Sequence, residues 1–122
     1  NAATFIDKSA NLKDAAKKCA VGAFVNSGQV CISLQRIYVH VEVYDEFAKL
    51  LAEETSKLAV GNPYDDKTFI GPMIDEDAVD KAKIWLANAK REGAKVLSGG
   101  NSKDLVMEPT IMVDVKEDMN IV

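Results

Sequence analysis

Histidine is almost absent from this chain: His40 is the only one, and Cys19 and Cys31 are the only cysteines among 122 residues. A zinc centre needs about four such ligands at close, characteristic spacings, so no metal site is expected. The cysteines also lack the C-x-x-C spacing of a redox pair, and a reducing compartment disfavours a disulfide between them. Long apolar runs are missing too. Nothing approaches the ~18 consecutive apolar residues of a membrane-spanning helix, and the first residues do not form a basic-then-apolar export signal. The expected location is therefore cytoplasmic, with no membrane partner. Positive charge is in deficit, at a net −4 with a pI near 5.0, which opposes binding to nucleic acid.

What is present is ordinary for a single globular domain: 48% hydrophobic and 28% charged residues. Ala3–Ile6 reads as an opening strand. Asn11 is placed to cap a helix from Leu12 to about Val25, with an apolar stripe of Leu12, Ala15, Ala16, Cys19, Ala20, Ala23 and Phe24. Cys19 on that stripe reads as a small buried residue. Gln35–Val41 alternates as a half-buried strand, with Ile37, Val39 and Val41 on one side and Tyr38 and His40 on the other. A second helix follows from Val43 and stops before Gly61. A third runs from about Asp75 or Asp77 to Glu92, with Ala78, Ala82, Trp85, Leu86 and Ala89 on its buried face and Gly93 as its stop. Lys95–Leu97 and Thr110–Val115 read as strands, separated by a polar turn that carries Gly99 and Gly100. That glycine pair lacks the spacing of a dinucleotide or phosphate loop. The rhythm predicts one α/β domain over residues 1–122, a mostly parallel sheet flanked by helices.

One stretch stands apart. Asn26, Ser27 and Gly28 end the first helix, since Asn and Gly tolerate left-handed backbone, and Cys31 follows in the segment that leaves the turn. A thiol there can face an opening. His40 is nine residues further on, too far along a strand to act as its base, and reads as a strand-end residue.

Phe24, Asn26, Gly28, Gln29 and Cys31 together resemble the nucleophile signature of the aldehyde dehydrogenase superfamily. Arg36-Ile37-Tyr38-Val39, Val60-Gly61-Asn62-Pro63, Gly71-Pro72-Met73-Ile74, Glu92-Gly93-Ala94-Lys95, Gly99-Gly100 and Glu108-Pro109-Thr110 are similar to successive blocks of that family's catalytic domain. The resemblance implies that Cys31 attacks an aldehyde as a thiolate and passes through a thiohemiacetal and a thioester, with its backbone N–H donating to the oxyanion. Asn26, Gly28 and Gln29 then shape the turn along with Phe24. Val30 and Ile32 line the substrate tunnel or simply pack. The look is that of members acting on lactaldehyde, glycolaldehyde or small semialdehydes.

The same resemblance implies a parent enzyme that uses NAD or NADP and is a homo-oligomer. Family members are several times longer, and their cofactor-binding domain, general-base glutamate and ribose-binding glutamate fall outside residues 1–122. Within the chain, Ala78 stands where a polar cofactor contact is sometimes found, and Lys81 one turn later is the remaining candidate for the cofactor ribose. The 122 residues alone are thus expected to bind no cofactor and to be inactive without the rest of the parent enzyme. Release of the acyl group to coenzyme A instead of water is the alternative within the family. Outside it, the alternative is a structural or interaction domain with an inert thiol.

Overall fold

The computed structural model describes residues 1–122. In chain order the elements are β1 (Ala2–Ile6), α1 (Leu12–Phe24), a 3-10 turn (Val25–Gly28), β2 (Leu34–Val39), a second 3-10 turn (Val41–Val43), α2 (Tyr44–Ser56), α3 (Glu76–Arg91), β3 (Lys95–Ser98), β4 (Ser102–Lys103), β5 (Val106–Met107) and β6 (Ile111–Val113). β1 and β2 pair in parallel, with Phe5 opposite Tyr38 and Ile6 opposite Val39. A parallel connection needs a crossover, and α1 supplies it. The chain therefore has the α/β architecture read from its sequence, a parallel sheet flanked by helices. Two antiparallel pairs, β3–β6 and the short hairpin β4–β5, complete it.

The main core lies between the parallel pair and the helices α1 and α2. Ile6, Ala16, Cys19, Ala20, Phe47 and Leu51 are buried together, with Leu34, Ile37 and Val39 of β2 packed against them. The small residues of α1 let α2 approach closely, and Phe47, 1% exposed, fills the space between. A smaller cluster of Ala89, Ala94 and Met119 joins α3 to the C-terminal segment. α1 and α3 are each capped by an amide or carboxylate side chain accepting a backbone N–H three residues on, Asn11 from Asp14 and Asp75 from Ala78, while α2 has no side-chain cap. No helix is long and apolar enough to cross a membrane.

Two expectations change. β2 ends at Val39, so Val41 is not on its inner face; it sits in the following 3-10 turn and is 84% exposed. The buried stripe of α3 is Val79, Leu86 and Ala89, while Trp85 lies at its edge, 38% exposed. A stripe that is apolar by count is wider than the surface its neighbours cover here, because only a few elements pack against α3.

Candidate active site

The backbone around Cys31 departs from regular structure for a reason visible in its residues. α1 closes with the Val25 N–H bonded to Val21 O, and the next three residues, Asn26, Ser27 and Gly28, take φ of 51°, 57° and 73°. Left-handed backbone is costly for residues with a Cβ, and Asn is among the few that adopt it readily. At Gly28 a Cβ would also sit 3.3 Å from the Ala23 carbonyl oxygen. Gln29 N–H donates to Asn26 O at 3.1 Å, and the Asn26 amide returns a bond to Gln29 O at 3.4 Å. A second turn follows at once, closed by Ser33 N–H on Val30 O at 2.9 Å. The buried Ser33 hydroxyl donates to Ala23 O at 3.0 Å, which ties the exit of the loop back to the last turn of α1.

Cys31 is held at the tip of this double turn, and its thiol is exposed. Its backbone N–H and that of Ile32 donate to no protein acceptor. Ile32 is 77% exposed, while Val30 and Phe24 are half-buried. Parallel pairing brings the start of β1 alongside: Ala2 N–H donates to Ser33 O at 2.8 Å, and the Asn1 amino group bonds to Cys31 O.

The segment 71–74 runs against the turn. Ser27 Oγ donates to Gly71 O at 2.9 Å, and Ile74 N–H donates to the Gln29 side-chain oxygen at 3.0 Å. Asp75 follows directly and caps α3. Lys81, six residues further, is about 9 Å along that helix. Its ammonium lies 4.6 Å from the centre of the Trp85 ring, a cation–π contact on an exposed face.

Phe24, Asn26, Gly28, Gln29, Val30, Cys31 and Ile32 are therefore gathered in one turn, whereas Lys81 is set apart on α3. His40 is at the opposite end of β2, roughly 20 Å of strand from the thiol, where its Nδ1 accepts the Glu42 N–H at 3.2 Å. Cys19 is buried on α1, and burial pushes its thiol pKa up. No group of three or more His, Cys, Asp or Glu residues is placed to hold a metal ion. Nor do these residues make a dinucleotide cradle by themselves. The Gly99–Gly100 turn is closed by its own chain, a Cβ on Gly99 falling 2.2 Å from Pro109 O, and Lys81 is engaged with Trp85.

Sequence reasoning placed Ser27 in the turn and marked residues 71–74 as a block of their own, but missed Ser33 and missed that 71–74 grips the turn. Ser33 carried a faint signal, as a small polar residue two positions after the thiol. The contact carried none, because it spans 44 and 45 positions.

Comparison with known proteins extends over the whole length. Residues 1–122 match the model of the aldehyde dehydrogenase family. A 3-sulfolactaldehyde dehydrogenase of Priestia aryabhattai is 45% identical over 121 residues, covering 99% of this chain and 25% of the relative. The structure of succinate-semialdehyde dehydrogenase from Burkholderia pseudomallei superposes with a TM-score of 0.93 at 35% identity, over 99% of this chain and 26% of that one. An NADP-dependent glyceraldehyde-3-phosphate dehydrogenase from Bacillus halodurans, solved with NADP, gives 0.92 at 31% identity, over 98% and 25%. The chain spans about a quarter of the length of the curated relatives it matches.

Proposed function

The chain belongs to the aldehyde dehydrogenase family, and from that premise we propose that residues 1–122 are part of the catalytic domain of an NAD(P)-dependent aldehyde dehydrogenase, with Cys31 as its nucleophile. The observation that carries this reading is the exposed thiol at the tip of the turn, where the Cys31 and Ile32 N–H groups donate to no protein acceptor.

The chemistry follows from that placement. The Cys31 thiolate adds to the carbonyl carbon of the aldehyde, forming a C–S bond while the carbonyl electrons move onto oxygen. The free Cys31 N–H then donates to that oxyanion, a donor aimed at charge that develops only during the reaction. NAD or NADP, held by the rest of the parent enzyme, would supply the acceptor for the hydride that leaves the adduct. The acyl group remains on Cys31 as a thioester, which is reactive enough to be released by water. Asn26, Gly28, Gln29 and Phe24 shape the turn, Val30 and Ile32 flank the substrate, and Lys81 would reach the cofactor ribose only by leaving its contact with Trp85. The substrate is a small aldehyde of the lactaldehyde or semialdehyde kind, a reading supported by the relatives named above.

The partner of this chain is the remainder of its own enzyme. An open apolar groove of about 780 Å³ runs between β2 and β6, lined by Ile37, Tyr38, Leu97 and Met112 and by the final residues Ile121 and Val122. We assign that groove to a further segment of the parent enzyme. Without it, and without a general base beside Cys31, the 122 residues alone do not turn over. The test is Cys31→Ser in the full-length enzyme. Aldehyde-dependent NAD(P)H formation falls by several orders of magnitude while the folded state is retained; undiminished turnover would refute the assignment.

A further inference from the structure

Residues 71–74 belong to no helix or strand, yet their backbone is bonded on both sides. Gly71 O and Ile74 N–H face the Cys31 turn, accepting from Ser27 Oγ and donating to the Gln29 side chain. Met73 N–H points the other way and donates to Leu105 O, at 2.8 Å, in the turn of the β4–β5 hairpin. The hairpin is fastened in its own right, through Glu108 N–H on Asn101 O and the Gly100 N–H on the Thr110 hydroxyl. At Asp75 the same segment becomes the cap of α3.

The Cys31 turn needs outside support. Asn26 and Ser27 both carry a Cβ in left-handed backbone, a conformation that persists only where the surroundings over-determine it. The bonds between Asn26 and Gln29 are local and would travel with the turn. Only two side chains of the left-handed turn and its following residue reach a distant segment, those of Ser27 and Gln29, and both grip residues 71–74.

We propose that Gly71–Ile74 is a strap that fixes where the Cys31 turn sits, with Ser27 and Gln29 as the positioning residues that hold it. The proposal rests on the nucleophile reading of Cys31. Neither side chain contacts the reacting atoms; each acts through the backbone of the turn. Loosening either bond displaces the thiol relative to a bound aldehyde without removing a binding contact, so the loss falls on kcat and not on KM.

The experiment compares Ser27→Ala, Gln29→Ala, Gln29→Glu and Cys31→Ser in the full-length enzyme, each assayed at its own pH optimum so that an added charge near the thiol is allowed for. Both alanine variants are expected to lose about tenfold or more in kcat with KM within about twofold, at unchanged secondary structure. Gln29→Glu keeps an acceptor for the Ile74 N–H and is expected to recover most of kcat. Wild-type kcat in both alanine variants, a loss confined to KM, or a Glu variant as impaired as the Ala variant overturns the strap alone. Activity surviving in Cys31→Ser removes the nucleophile reading, and the strap with it.

Discussion

Gly99 has φ of 72°, and a Cβ added there would lie 2.2 Å from Pro109 O and 2.9 Å from its carbonyl carbon. Backbone cannot yield as a flexible side chain can, so Gly99→Ala is expected to destabilise by about 3 kcal/mol or more, against about 1 kcal/mol for an unhindered left-handed glycine. A shift in the urea midpoint measures it; a change below about 1 kcal/mol would show that the turn relaxes. The need for glycine at position 99 was not legible in the sequence, where the pair suggested only a hairpin or loop. The clash arises between segments brought together by the β3–β6 pairing. Cys31 is the opposite case. Asn26-Ser27-Gly28 announces a left-handed helix end, so the presentation of the thiol could be read locally, while the partners of Ser27 and Gln29 lie 44 and 45 residues away.

The helices were readable as elements because each carries its apolar spacing in one continuous stretch, and α1 and α3 carry a capping side chain as well, which α2 lacks. Asn11 caps α1 as the sequence suggests, and Asp75, read there only as a possible start of the third helix, caps α3, which adds Glu76 and Asp77 at its start and Lys90 and Arg91 at its end, in keeping with the helix dipole. The β4–β5 hairpin, two residues per strand, is too short to show any period. Trp85 was misread because spacing alone cannot say how much of a helix face is covered. α1 carries a pH signature of its own. Burial raises the Cys19 thiol above its ordinary 9.0, so the protein binds this proton more tightly when folded. That contribution is intact below the ordinary value and is lost as pH rises through the folded one. Urea midpoints from about pH 8 to about pH 10.5 should fall more steeply for the wild type than for Cys19→Ala; parallel curves would show that Cys19 does not titrate in the fold. The comparison isolates Cys19 from Tyr44, whose pKa burial also raises, with Asp114 and Asp45 adding to the shift.

As a whole, the molecule exposes more than a free-standing chain of its size would. Its surface is 7936 Å², whereas a compact monomer of this mass exposes roughly 6,500 Å². The excess, about 1,400 Å² on this chain alone, is well above the ~800 Å² that one partner buries in a standard protein–protein interface. Only 14 of 122 residues are buried, and Phe5, stacked on Tyr38, is 78% exposed on the sheet face turned away from α1 and α2. Such a surface suits a segment that the rest of a larger enzyme covers, in line with relatives about four times its length. Its two thiols differ in burial, Cys19 buried and Cys31 exposed, and the proposed nucleophile role falls to Cys31 alone. The most direct measurement is progressive alkylation of the full-length enzyme with iodoacetamide, following activity and the label on each cysteine peptide by mass spectrometry. The account predicts that activity disappears in step with labelling of Cys31, before Cys19 reacts. Full activity in enzyme whose Cys31 is completely alkylated would contradict it.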